Sequence, residues 1–138
     1  MPRKAYAMLK EMEPYGMEGL CVTKLPSKTI RGRYGIQKAS ILWVTFEKEK
    51  SAISPKDVTG LVKKVTALSM KHDLNIMLLD CLDQIKFAAS FEKSLDLINN
   101  LRSLARTYNS ILMISISPLI LEKEELKALG KEVEMDTP

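Results

Sequence analysis

The chain has 138 residues, 46% of them hydrophobic and 28% charged, with a net charge of +4. That length suits one domain able to bury roughly two thirds of its unfolded surface without covalent staples, and the composition excludes disorder. No apolar run approaches the ~20 residues of a membrane-spanning helix, and no hydrophobic stretch follows Met1-Pro2-Arg3-Lys4, so the reading is a cytoplasmic chain with no membrane contact and no secretory signal.

The first periodic segment runs from Arg3 to Met12, where Ala5, Met8, Leu9 and Met12 fall at helical spacing. Pro14 and Gly16 end it, so residues 1–18 read as an N-terminal helix and turn. Gly19 to Thr23 is short, apolar and β-branched, as a buried strand is. A basic connection follows through Lys24, Lys28, Arg31 and Arg33, in which Pro26 opens a short helix and Gly35 lies just past its end. Ser40 to Phe46 is the second strand, apolar on both alternating faces and therefore expected to be covered on both sides.

Glu47 to Ala52 reads as a charged loop. Ser54 then reads as the N-cap of a helix with Pro55 at its first position, running to about Lys71 and burying Val58, Leu61, Val62, Val65 and Leu68. Asn75 to Asp80 is a third strand closed by a carboxylate. Ser90 caps a long helix with the stripe Phe91, Leu95, Ile98, Leu101, Ala105 and Tyr108. Ser110 to Ile116 is the fourth strand, broken by Pro118, and Glu122 to about Lys131 is a final helix with Leu126 and Leu129 inward. Residues 133–138 read as a frayed tail. Strands alternating with helices imply right-handed βαβ units. The expected fold is a single α/β domain over 1–138, a three-layer α/β/α arrangement around a mostly parallel sheet of about four strands.

Two cysteines, Cys21 and Cys81, make no disulfide framework and behave as small hydrophobes in apolar strands. With one histidine, His72, they cannot complete a four-ligand zinc set, so no metal is expected. Lysine and arginine are mixed with acidic residues along the chain and no aromatic-interleaved basic run occurs, which leaves nucleic-acid binding by the basic segment as a minor alternative.

In open α/β sheets ligands sit at the carboxyl ends of the strands. Those ends here are Lys24, Phe46-Glu47, Asp80 with Asp83, and Ser115 with Ser117. The apolar strand ending in Asp80 looks like a Walker B strand, whose carboxylate holds magnesium beside a nucleotide; Ser115 and Ser117 end the next strand, where such proteins often keep a polar sensor. An Asp at a strand end is also a common turn cap. No G-x-x-x-x-G-K-[ST] loop occurs, so a triphosphate would lack its main anchor. Lys28-Thr29 has no glycines to wrap a phosphate, and a glycine dinucleotide fingerprint is absent as well. His72 sits on a helix flank, and nothing nearby makes Asp80 and Asp83 an acid–base pair. No cofactor and no catalytic residues are assigned.

Gly19 to Thr23, Pro26 through Arg31-Gly32-Arg33-Tyr34-Gly35, Ile41 to Thr45, Ala52 to Asp57, Leu78-Leu79-Asp80, Phe91-Glu92 and Ile111 to Ser115 together resemble an archaeal family known as domain of unknown function 835. The resemblance covers Gly19 to Glu132. It implies a degenerate relative of RecA- and KaiC-type P-loop ATPases without the Walker A strand and loop, serving as a signalling or regulatory module, with no catalytic residues to carry over. The family usually opens with an extra strand before the first helix, which this chain lacks. That difference implies that Ser110 to Ile116 lies at a sheet edge, a template for pairing with another chain, and hence a homodimer; the alternative is that the final helix or the N-terminal segment covers it.

The function expected is therefore a non-enzymatic regulatory or protein-interaction module with an unidentified protein partner. Its candidate surface is Lys24, Lys28, Arg31, Arg33, Asp80, Asp83, Ser115 and Ser117. The alternative is residual nucleotide binding or hydrolysis through Asp80 and Mg²⁺.

Overall fold

A computed structural model describes residues 3–132. Its centre is a five-stranded sheet built from β1 (Gly19–Thr23), β2 (Ser40–Val44), β3 (Ala52–Ile53), β4 (Ile76–Asp80) and β5 (Ile111–Ile114). The order is β3-β2-β1-β4-β5 and every pairing is parallel, so the sheet has five strands where four were expected. The additional strand is two residues long, inside the segment that reads as charged loop and turn; Trp43 pairs with Ala52 and Val44 with Ile53.

Side-chain alternation splits the sheet into two faces. Leu20, Val22, Val44, Met77 and Leu79 point to one, where they form a core with Leu61 and Val65 of α3 (Val58–Lys71), Leu82 and Ile85 of α4 (Leu82–Ala88), and Leu97, Ile98 and Leu101 of α5 (Phe91–Thr107). Leu129 of α6 (Lys123–Glu132) joins them. Cys21, Ile76 and Leu78 point to the other face, against Tyr6 and Leu9 of α1 (Arg3–Met12) and Ile30 of α2 (Ser27–Tyr34). Helices on both faces of a parallel sheet make the three-layer α/β/α architecture.

The strands β1 and β4 are buried throughout because each has a strand on both sides and helices above and below. In β2 only Val44 is buried and the other four residues are half-buried, so that strand is less covered than its apolar sequence suggests.

Helix boundaries follow local chemistry. Gly35 adopts φ +67° at the end of α2, where a side chain would be strained. Ser90 Oγ accepts from Lys93 N–H at 3.0 Å and starts α5, as expected. The helix α3 starts three residues later than the Ser54-Pro55 pair suggests. Its cap is Asp57, whose Oδ1 accepts from Gly60 N–H at 3.0 Å, while Ser54 and Pro55 belong to the preceding turn. Helix α4 was not evident in the sequence: seven residues show less than two turns of periodicity.

Of the expected α1 stripe, Leu9 is buried and Ala5 and Met12 pack against the same cluster, while Met8 is 40% exposed; the face is completed by Tyr6 and, in the turn just after α1, by the buried Glu13. The sheet selects a tyrosine and a glutamate because both find polar partners beneath the helix. Glycine at position 19 permits this close approach: a Cβ there would stand 2.8 Å from Leu9 Cδ1.

Candidate functional site

The register pairs Thr23, the last residue of β1, with Asp80, the last of β4, so both side chains leave the sheet at its carboxyl end on the α1 side. Tyr6 lies over them. Its hydroxyl stands 2.8 Å from Thr23 Oγ1 and 3.0 Å from Asp80 Oδ2, and Thr23 Oγ1 also accepts from Leu25 N–H at 3.0 Å. Each hydroxyl carries one proton. With Asp80 ionised, the set is satisfied when Thr23 donates to Tyr6 and Tyr6 donates to Asp80.

The Tyr6 ring is stacked on Tyr34 of α2, with centroids 4.3 Å apart and planes at 14°. This stack closes the α1 side of the strand ends, and Asp80 is only 3% exposed. Burial pushes its carboxyl up to about 6, against the lowering influence of the Tyr6 hydrogen bond and the Lys24 charge. Burial and the neighbouring Asp80 charge also raise the Tyr6 phenol.

Lys24 continues from β1, and its Nζ lies 2.7 Å from Asp83 Oδ2 in the first turn of α4. Burial opposes the Lys24 charge, but the bond to Asp83 prevails and its pKa rises. Asp83 therefore pairs with Lys24, and Asp80 with Tyr6; the two carboxylates do not form a dyad. The backbone of Lys24 is engaged as well, since its carbonyl accepts from Trp43 Nε1 at 3.3 Å and its N–H donates to Asp80 O at 3.1 Å.

The remaining basic residues divide. Arg31 donates to Ile36 O at 3.1 Å and Ala39 O at 2.7 Å, which braces the loop between α2 and β2. On the other side of that loop the N–H groups of Gln37, Lys38 and Ala39 donate to the buried Glu13 carboxylate at 3.0, 2.7 and 3.0 Å. Lys28 and Arg33 are exposed. Ser115 continues β5, its N–H donating to Leu79 O at 2.9 Å, and it is half-buried, whereas Ser117 is exposed and its Oγ accepts from Leu119 N–H at 3.4 Å.

A family model described as protein of unknown function (DUF835) matches residues 2–133. The chain belongs to that family. No curated protein matches it.

In this DUF835 chain the structure gathers Lys24, Asp80 and Asp83 with Tyr6 and Thr23, while Arg31 serves a loop. Sequence reasoning missed Tyr6, since a tyrosine one position from the apolar stripe gives no sign of a partner 74 residues away. It missed Glu13 for the same reason. His72 ends α3 at the other end of the strands, 4.0 Å from Glu18, beside a polar hollow lined by Gly16, Lys71 and Asn75. Among the described residues no group of three or more His, Cys, Asp or Glu side chains is placed to hold a metal ion, and no helix is long and apolar enough to cross a membrane. Cys21 and Cys81 are buried and free; burial pushes the Cys21 thiol up to about 12 and that of Cys81 upward as well.

The exposed strand is β5. Ile111 N–H donates to Asn75 O and Ser115 N–H to Leu79 O, so alternation turns the amides of Leu112 and Ile114 away from β4. Among the described residues no strand lies beyond β5, and Ile111 is 53% exposed.

Proposed function

We propose that this chain is a non-enzymatic interaction module of the regulatory or signalling kind, and that it works by pairing the outer edge of β5 with that of a second copy. The single observation that carries this reading is the contrast between the two edges of the sheet. β3 is two residues long, with Lys48, Glu49 and Lys50 before it and Lys56 after it. Short, charge-flanked edges resist strand addition. β5 has no such protection: residues 110–118 contain no charged side chain, although the chain as a whole carries 28%.

A second copy is the occupant that these features fit. Two uncharged edges meet without like-charge repulsion, and a two-fold axis between antiparallel β5 strands gives a closed, self-complementary contact that stops at the dimer. Beside the edge, Met113 packs against the cluster that holds Tyr6 and Leu9.

The condition of Asp80 supports the non-enzymatic half of the reading. A carboxylate that binds magnesium must face the ligand, whereas this one is enclosed beneath Tyr6. The nucleotide-binding alternative has no observation in its favour.

Light scattering at micromolar concentration tests the proposal. The expected mass is twice the 15.6 kDa of the chain, falling to one chain in Ile111→Lys, which places a charge on an exposed edge position without emptying the core. A wild-type monomer, or an Ile111→Lys dimer, overturns it.

A further inference from the structure

The positive charge of the chain is not spread evenly over the fold. Residues 3–38 hold eight basic residues against three acidic ones, whereas residues 39–132 hold thirteen against twelve. The first stretch supplies α1 and α2, which cover one face of the sheet, so the excess gathers on that layer. Glu13 is buried on backbone amides, and Glu18 stands in the turn before β1, 4.0 Å from His72. Glu11 is then the one acidic residue within α1 and α2. Lys24 and Arg31 are engaged by Asp83 and by loop carbonyls. Lys10, Lys28, Arg33 and Lys38 are exposed, and among the described contacts none of these side chains has an acidic partner. Lys10 reaches from α1 to the end of α2, where a Cβ on Gly35 would stand 3.2 Å from its Nζ.

A second observation falls on the same surface. Gly32 lies inside α2 on its exposed side, one turn from Lys28 and opposite the buried Ile30. Glycine weakens a helix relative to most other residues. Elsewhere the fold needs it: Gly19 takes Leu9 against its backbone, and Gly35 has a positive φ. At Gly32 the backbone is helical and a Cβ would meet nothing within 4 Å, so packing within the chain does not call for glycine. A glycine on an open helix face lets another molecule come close to the backbone.

We propose that the outer face of α1 and α2 binds a nucleic-acid duplex through its phosphates, with Lys10, Lys28, Arg33 and Lys38 as the cations and Gly32 as the point of closest approach. The inference stands apart from self-association at β5. Basic residues that look scattered along the sequence meet on one layer only when α1 and α2 pack side by side. A bilayer surface would need apolar side chains to insert, and within α1 and α2 the one large apolar side chain exposed among the described residues is Met8. Single strands are held by stacking on aromatic faces, but the Tyr34 ring is already stacked on Tyr6. A duplex backbone needs neither; it needs cations and a surface that it can approach.

Fluorescence anisotropy of a labelled, mixed-sequence DNA duplex, titrated with the whole chain, tests the proposal. With about four phosphate contacts, affinity is expected to fall roughly a hundredfold between about 50 and 200 mM salt. The double variant Lys28→Ala, Arg33→Ala is expected to bind more than tenfold more weakly at the lower salt and with a shallower salt dependence. Lys63→Ala with Lys64→Ala removes two exposed charges from α3, on the other face, and is expected to bind as wild type does. Gly32→Gln places a better helix former in open space, so it is expected to melt no lower than wild type yet to bind at least tenfold more weakly. No binding at the lower salt, an equal loss in the α3 variant, or undiminished binding by Gly32→Gln overturns the proposal. Binding to vesicles containing anionic lipid but not to the duplex overturns it as well.

Discussion

The Tyr6 hydroxyl stands 3.0 Å from the Asp80 carboxylate, a contact between the first helix and the end of the fourth strand that spans 74 positions of chain. It joins the least expected residue of the structure to the residue that the sequence marks most plainly. Replacing Tyr6 by Phe leaves Asp80 and Thr23 buried without their shared partner, and unsatisfied buried groups cost about 1–3 kcal/mol. Denaturant unfolding of Tyr6→Phe at neutral pH is expected to show a loss in that range with an unchanged slope. No measurable loss would mean that the hydroxyl is not bonded as described.

The Asp80 carboxyl supplies a pH dependence of known sign. Its pKa is raised to about 6 in the folded chain from an ordinary 3.8. A group raised on folding stabilises fully below its unfolded value, and that contribution is lost as pH rises through the folded value. The difference amounts to about 3 kcal/mol at one pKa unit per 1.36 kcal/mol. Asp80→Asn is isosteric and uncharged, so it is expected to be more stable than wild type at pH 7.5, with the advantage shrinking as pH drops toward 4. Thermal or denaturant curves across that range measure it, and a variant less stable at every pH contradicts the assignment.

Much of this fold can be read in the chain. Val22 and Leu78 sit in apolar runs that specify covered strands, Ile114 in a run that specifies a strand but not its exposed edge, and Ser90 and Gly35 are local signals that the structure uses as read. Local signals failed where the deciding partner is distant. Ser54-Pro55 and Asp57 are both good helix starts by composition, and only the turn that leads out of β3 selects the second. Tyr6 and Glu13 look like solvated residues until Thr23, Asp80 and the 37–39 loop come beneath them. Of the candidate residues, Lys24, Asp80 and Asp83 come together because adjacent parallel strands end at one rim, whereas the role of Arg31 depends on carbonyls of a loop with no sequence signature.

The helix start gives a direct comparison. Asp57→Ala removes the carboxylate that accepts from Gly60 N–H and is expected to cost about 1 kcal/mol, as lost N-caps do. Ser54→Ala removes only a turn contact to Lys56 N–H at 3.2 Å and is expected to cost less. Paired denaturation curves decide it, and a larger loss at Ser54 would restore that residue as the cap.

Glu13 holds three backbone donors at once. Glu13→Ala leaves the three donors without their acceptor, with an expected loss of about 1–3 kcal/mol. The loop amides of Gln37, Lys38 and Ala39 are expected to exchange faster with solvent in the variant. Unchanged exchange at those three positions would show that Glu13 does not organise the loop.

The most direct test of the account concerns the two amides that face away from β4. Leu112 and Ile114 N–H are expected to exchange slowly with solvent at micromolar chain concentration, approaching the protection of Met113, and to lose that protection on dilution as copies separate. Rapid exchange at Leu112 and Ile114 at every concentration, beside a protected Met113, would show that the edge of β5 faces water and that no second copy pairs there.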